Sequence, residues 1–126
     1  MDRQHNGMVA RAVQVTATGV GAANTALVVT IPAVVGWVNV ITGYDYTGTG
    51  ATAAAVVDIT LTGVGTNYTH KLGVPASPTS VAERSVRYPN GLTATANNTA
   101  ITVTVPALGV GNLSGNLVVY GYRVRG

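Results

Sequence analysis

Two ten-residue segments decide the fold of this chain: NTALVVTIPA at residues 24–33 and NTAITVTVPA at residues 98–107. Seven of the ten positions are identical, and the inward-facing positions that differ exchange one aliphatic residue for another. Apolar and polar residues alternate along both segments, which is typical of a strand with one buried face. Pro32 and Pro106 have no amide hydrogen to donate to a sheet, so each predicts the end of its strand.

The similarity resumes after a slip of four residues, where VITGYDY at 40–46 aligns with VVYGYRV at 118–124. Two copies of one pattern at opposite ends of a domain fit a jelly roll, which is built from two Greek keys. The alternative is a chance likeness between strands that are both rich in Thr and Val.

Alternation of this kind recurs along the whole chain and predicts about eight strands. We therefore predict an all-β, antiparallel, jelly-roll-like sandwich in one domain at residues 9–126, preceded by an N-terminal arm at residues 1–8. Residues 79–88 fit a short helix equally well, because Ser80 and Glu83 have the spacing of a capping box. Turns are predicted at three GVG tripeptides and at Asn90-Gly91. The predicted strands are 9–18, 26–32, 36–46, 52–62, 66–74, 80–88, 99–106 and 113–125.

The composition supports a β protein and excludes several other classes. Gly, Ala, Val and Thr make up 73 of the 126 residues, whereas a helical bundle needs charged, long-chained helix formers. The absence of cysteine excludes disulfides and thiolate chemistry. The net charge is +3, but the basic residues form no run, so direct nucleic-acid binding is not expected. Proline and polar residues interrupt the apolar stretch 26–42, so a membrane-spanning helix is not expected either.

No arrangement of residues in the sequence suggests catalysis. The four acidic residues are not spaced as a catalytic pair, and no G-x-S-x-G motif occurs. Two histidines without cysteine make a poor set of metal ligands. His70 is expected to be half-buried and hydrogen-bonded, and Asp58 to be solvated on an outward face. We therefore expect a non-enzymatic protein without cofactor or metal.

The scarcity of charge is the main positive indication of function. Only seven basic and four acidic residues are available to solvate the surface, so either Thr, Asn and Gly solvate it or other subunits cover it. Trp37 and the six tyrosines fit packing and interfaces better than a sugar-binding platform. The predicted interface residues are Asp2, Arg3, His5, Arg11, Trp37, Arg123 and Arg125.

The phrases TALVVTIPAVVG and TAITVTVPALGVGNLSGNLVVYGYRV, together with the absence of cysteine, resemble the small β-sandwich virion proteins of tailed bacteriophages, particularly capsid decoration (cement) proteins. The resemblance implies a structural homodimer or homotrimer, made in the host cytoplasm, that binds the major capsid protein on the capsid surface. The alternative is a head-fibre or tail receptor-binding, lectin-like β-sandwich module. The resemblance carries no catalytic signature, so it assigns no functional residue.

Overall fold

A computed structural model of the protein describes residues 12–126, so the predicted arm at residues 1–8 lies outside the described residues. This part of the chain forms eight strands and no helix. Each of the eight predicted strands corresponds to one of these, although residues 9–11 of the first lie outside the described residues and several bounds differ by a few residues. Residues 80–88 form a strand and not the alternative helix. The strands are β1 (Val13–Gly21), β2 (Leu27–Ile31), β3 (Trp37–Thr49), β4 (Ala55–Thr62), β5 (Tyr68–Val74), β6 (Ser80–Thr93), β7 (Ile101–Val105) and β8 (Gly115–Arg125).

The strands form two four-stranded antiparallel sheets, which pack against each other as a sandwich. The first sheet has the order β1-β8-β3-β6 and the second has the order β2-β7-β4-β5. Strands 1 and 8, 2 and 7, 3 and 6, and 4 and 5 are paired, as in a long hairpin of paired strands. Rolling that hairpin up places β8 beside β3 and β7 beside β4. This order is the jelly roll of two Greek keys that the sequence predicts.

The core lies between the sheets and follows the alternation of the sequence. In β2 and β7 the inward-facing residues are buried, while the residues between them face outward. Leu117 and Val119 of β8 and Tyr44 of β3 fill the opposite side of the core. Burial of a large aliphatic side chain contributes about 1.5–3 kcal/mol. The two repeated segments therefore supply much of the apolar surface that joins the sheets.

The internal repeat corresponds to a symmetric pairing of strands. β2 and β7 are neighbours, and Val29 pairs with Val103, its equivalent in the repeat. Exchanging the two copies leaves the register unchanged, because the Leu27–Val105 pair is carried onto the Ile31–Ile101 pair. The second pair of similar segments lies in β3 and β8, which are also neighbours.

The symmetry extends to the backbone at the start of each repeat. Asn24 and Asn98 both adopt a positive φ, of 47° and 55°. The hydroxyls of Thr25 and Thr99 each donate to the carbonyl oxygen two residues earlier, at 2.9 and 3.2 Å. Asparagine tolerates this left-handed conformation better than most residues, which explains its place in both copies. The likeness between the segments is therefore structural and does not arise from composition alone.

Two buried asparagines join the repeats at opposite ends of the sandwich. Asn39 Nδ2 donates to the carbonyl oxygens of Pro32 and Thr99, both at 2.9 Å. Asn112 Nδ2 donates to the carbonyl oxygen of Thr49 at 2.9 Å, and its Oδ1 accepts from the Asn24 amide at 3.1 Å. Each asparagine thus binds the beginning of the other repeat.

Two of the predicted turns are wrong. Asn90 and Gly91 lie inside β6, where the pairing with β3 shifts from Arg87 to Leu92 across a bulge. The type I′ turn that Asn-Gly favours needs a positive φ at both central residues, but here Gly91 alone has one, at 73°. The first GVG tripeptide, residues 19–21, forms the end of β1. The other two, at residues 63–65 and 109–111, lie in connections as predicted.

We predict that Asn39→Ala and Asn112→Ala each lower the free energy of unfolding by about 2–4 kcal/mol, because each leaves partly buried backbone groups without a partner. Asn116→Ala is the matched control, since Asn116 is exposed on β8 and should change stability by less than about 0.5 kcal/mol. Urea denaturation at neutral pH measures all three. Equal effects of the three substitutions would contradict the linking role of the buried pair.

Candidate functional site

The connections at both ends of the sandwich contain no Asp, Glu, Lys or Arg, and the ends differ in charge because Arg123 and Arg125 of β8 lie at one of them. The strand directions place the connections 22–26, 50–54, 75–79 and 106–114 at one end, which we call the uncharged end. The connections 32–36, 63–67 and 94–100 and the C-terminus lie at the other, which we call the Trp37 end.

The Trp37 end brings together the three predicted interface residues that the structure describes. Trp37 and Arg125 are paired across β3 and β8, and the Arg125 guanidinium carbon lies 4.7 Å from the centre of a Trp37 ring. Arg123 Nε donates to Asn39 Oδ1 at 3.3 Å. The other predicted interface residues, Asp2, Arg3, His5 and Arg11, lie outside the described residues. The described chain begins at this end, where Val13 pairs with Arg123.

The Trp37–Arg125 contact is a cation–π interaction, which contributes about 0.5–1 kcal/mol at an exposed site. The guanidinium occupies one face of the indole, so that face is not open for stacking on a sugar ring. Arg125 itself is exposed and presents its donors to the surroundings. This geometry fits a polar contact with a protein surface.

The uncharged end has no Asp, Glu, Lys or Arg in any of its four connections. Val110 and Leu113 are exposed there, at 75% and 69% of their full surface. Two hollows of about 390 Å³ each open on this end, and both reach Ala55. The lining of the second is almost wholly apolar: Ala51, Thr52, Ala53, Ala55, Leu108, Gly109 and Val110.

The connections at the uncharged end are fixed to one another by backbone hydrogen bonds. The Thr52 amide donates to the Val110 carbonyl at 2.7 Å, and the Ala51 amide donates to the Pro75 carbonyl at 3.1 Å. The Gly109 amide donates to Asn24 Oδ1 at 3.0 Å. The apolar side chains of this end therefore project from a surface whose backbone is hydrogen-bonded.

The outer face of the second sheet carries more hydroxyl groups than charged groups. Six threonines from its four strands occupy outward positions, and two of the hydroxyls lie 3.2 Å apart. Asp58 and Lys71 form a surface salt bridge at 2.7 Å on the same face, so Asp58 is solvated as predicted. Hydroxyls therefore replace charge as the solvating groups here. The threonines are Thr30, Thr60, Thr62, Thr69, Thr102 and Thr104.

Asp45 is the centre of a polar network on the outer face of the first sheet. Arg87 Nη1 lies 2.9 Å from Asp45 Oδ1, and the hydroxyls of Ser85 and Tyr120 donate to the same carboxylate at 2.7 and 2.9 Å. The hydrogen bond from Arg87 is the main reason that the pKa of Asp45 lies below its usual value. A carboxylate held in its ionised form by three donors is a structural group and a poor general base.

Sequence reasoning missed a cluster of polar aromatic and cationic side chains between the edge strands of the two sheets. β5 is the edge of the second sheet and β6 the edge of the first, and His70 Nε2 lies 3.0 Å from the Tyr88 hydroxyl between them. The Tyr44 and His70 rings meet edge-on at 6.1 Å. The rings of Tyr68 and Tyr88 lie 6.4 Å apart. We call the set Tyr44, Tyr68, His70, Arg84 and Tyr88 the edge cluster.

The electrostatics of the edge cluster are those of a desolvated site. Burial raises the pKa of Tyr44 far above its usual value, and it also raises that of Tyr88. Burial is the main cause of a lowered pKa at His70, and the Arg84 charge adds to it. His70 is therefore neutral at pH 7, and it is half-buried and hydrogen-bonded as predicted. Arg84 is the one side chain of the cluster that carries charge.

The only sequence signal for the edge cluster was the phase of alternation. Arg84, Val86 and Tyr88 share one face of β6, and Tyr68 and His70 share one face of β5. Their meeting depends on the packing of two strands from different sheets, which the alternation does not specify.

Residues 12–126 contain no group of three His, Cys, Asp or Glu side chains that could hold a metal ion. Within the same residues, no helix is long and apolar enough to cross a membrane. Comparison of the chain with protein-family models, with curated proteins and with solved structures finds no match. The surfaces described above are therefore the basis of the functional argument.

We predict that stability falls as the pH drops below about 6.5, the ordinary pKa of histidine. Between that value and the lower pKa of folded His70, the unfolded chain takes up a proton that the folded chain does not, so the free energy of unfolding decreases. Below the folded-state pKa this contribution is constant. Urea denaturation between pH 7.5 and 5 measures it.

His70→Gln should flatten this dependence, because glutamine can hydrogen-bond to Tyr88 but does not titrate. Asp45→Asn is the control. The lowered pKa of Asp45 contributes stability that is lost only as the pH falls below about 3.9, so this variant should keep the slope between pH 7.5 and 5. An unchanged slope in His70→Gln would contradict the desolvated position of His70.

Proposed function

We propose that this chain is a non-enzymatic structural virion protein: a capsid decoration, or cement, subunit of a bacteriophage that binds the major capsid protein and itself. It forms a homodimer or homotrimer and acts on the capsid surface after synthesis in the host cytoplasm. The observation that carries the proposal is the uncharged end. The fold alone does not specify a function, so the argument rests on this surface.

The uncharged end has the properties of a protein–protein interface. Charged residues are depleted at the centres of such interfaces, and contiguous exposed apolar patches on small proteins mark interaction sites. Here four connections contribute no charge, and Val110 and Leu113 are exposed. Burying one such side chain fully contributes about 1.5–3 kcal/mol.

The scarcity of charged residues supports the proposal, although threonine hydroxyls supply part of the surface polarity that charges would otherwise provide. The six outward threonines present hydroxyls on the outer face of the second sheet, where Val28 and Val56 are also exposed. At the uncharged end Val110 and Leu113 are exposed beside two exposed hydroxyl residues, Thr52 and Ser114. Val35, in the connection 32–36 of the Trp37 end, is also exposed, so that end offers an apolar contact as well.

The Trp37 end supplies a second contact in this proposal. Arg123 and Arg125 lie beside Trp37, and the described chain begins next to them. Guanidinium groups bind carboxylates through paired hydrogen bonds, which suits acidic groups on a capsid subunit. The arm at residues 1–8 extends the same contact in the proposal.

Val110→Lys combined with Leu113→Lys should abolish self-association and binding to capsids, because two charges would enter an apolar interface. The control is Thr62→Lys on the threonine face, which should change neither. Sedimentation equilibrium of the purified chain and co-sedimentation with capsids of the encoding phage provide the readouts. A 12.7 kDa monomer that does not sediment with capsids would overturn the proposal.

Deletion of residues 1–7 tests the arm. Lower capsid occupancy with an unchanged circular dichroism spectrum is the expected result. Unchanged occupancy would remove the arm from the mechanism and leave the uncharged end as the contact.

The second candidate function is a head-fibre or tail receptor-binding, lectin-like module. The observation in its favour is the exposed ring of Tyr68, which lies beside Tyr88 at the sandwich edge. Saturable glycan binding that is lost in Trp37→Ala or Tyr68→Ala would favour this function over the decoration role.

A further inference from the structure

The edge cluster contains two hydrogen-bond donors without an acceptor. Tyr44 is fully buried, and its hydroxyl makes no hydrogen bond within the described residues. Arg84 Nε is also buried and has no partner there. A buried polar group without a partner is costly, so native structures rarely leave one in place without a ligand or water. Two such donors on neighbouring strands point to an acceptor between the sheets.

The charge of the cluster defines the acceptor. Asp45 and Asp58, described above, are already paired with Arg87 and Lys71. Glu83 precedes Arg84 and lies on the opposite, exposed face of β6. Among residues 12–126 no carboxylate therefore forms a salt bridge with Arg84, and a guanidinium that is partly removed from water favours an anionic partner.

The shape of the donor set favours a carboxylate. The Nε edge of a guanidinium carries two parallel N–H groups, which match the two oxygens of a carboxylate. The Tyr44 hydroxyl adds a third donor, while Tyr88 and His70 already bond each other. One positive charge matches a monoanion better than a phosphate dianion. The exposed ring of Tyr68 marks the solvent side of the cluster.

We propose that the edge cluster is a carboxylate-binding site, in which Arg84 and the Tyr44 hydroxyl hold one carboxylate between β5 and β6. The site lies between the sheets rather than at either end, so it is separate from the proposed docking surface. It does not depend on the decoration function. A free small carboxylate and an acidic side chain of a partner protein offer the same chemistry.

Acetate is the probe. In a titration followed by NMR, the Arg84 Nε–H signal and the His70 ring signals of the wild-type chain should shift and saturate with sodium acetate. Acetamide, which has the same shape without the charge, and sodium chloride at equal ionic strength should produce no saturable shift. The proposal would be overturned if the Arg84 and His70 signals did not shift with acetate, or if they shifted equally with chloride.

Tyr44→Phe gives a second readout that a structural role would not produce. It should weaken acetate binding about tenfold, as expected for loss of one hydrogen bond to a charged ligand. It should also raise Tm in the absence of acetate, because it removes an unpaired buried hydroxyl. Tyr120→Phe on the outer face is the control and should leave acetate binding unchanged. Acetate binding equal to wild type in Tyr44→Phe would exclude that hydroxyl and refute the site as proposed.

Co-sedimentation with capsids distinguishes the two possible sources of the carboxylate, a free small molecule and an acidic side chain of the capsid. If an acidic side chain of the capsid occupies the site, excess acetate and Arg84→Gln should both reduce co-sedimentation. If the ligand is a free small molecule, acetate should bind without any effect on co-sedimentation. Acetate binding in a chain that never sediments with capsids would support the site and contradict the decoration function, so the two proposals can fail separately.

Discussion

The structure depends on the pairing of β2 with β7 at the register in which Val29 lies opposite Val103. In this register the aliphatic residues of both repeats face the same core, whereas a shift by one residue would turn one set outward. The pairing also brings together the two ends of the described chain, since β1 leads into β2 and β8 follows β7. β8 then lies between β1 and β3, and the rolled order of the sandwich follows.

The low charge of the chain has a different meaning on each surface. On the second sheet, six threonine hydroxyls accompany one charged pair, Asp58 and Lys71. On the first sheet, Asp45 and Arg87 neutralise each other within one network. At the uncharged end, Val110 and Leu113 project from loops that hydrogen bonds hold in place. The low charge therefore has three structural counterparts. Hydroxyls are the main polar groups on one face, an ion pair is neutralised on the second, and apolar side chains are exposed at the uncharged end.

Sequence reasoning named Trp37, Arg123 and Arg125 as interface residues but did not identify the edge cluster, because the two sets of residues meet in different ways. Trp37 and Arg125 are paired in adjacent strands of one sheet. His70 and Tyr88 come from edge strands of different sheets, and Tyr44 reaches them through the core. Arg84 was visible in the sequence only as a charge in phase with Val86 and Tyr88. A period of two shows that residues share a face, but not what that face contacts.

The sequence by itself determined seven of the eight strands, the ends of β2 and β7 at their prolines, and the internal repeat, because alternation and the missing proline amide act locally. At residues 79–88 it left strand and helix open, and the pairing with β3 made that segment a strand. Tertiary structure decided the rest. Asn90 and Gly91 lie inside β6 because that strand continues to pair with β3 on both sides of them. A bulge between Arg87 and Leu92 takes up the extra residues. Tertiary structure also placed two buried donors that lack an acceptor within the described residues, the Tyr44 hydroxyl and Arg84 Nε, on the neighbouring strands β3 and β6. Contacts between sheets depend on how the strands roll up, and no local pattern encodes which edges meet.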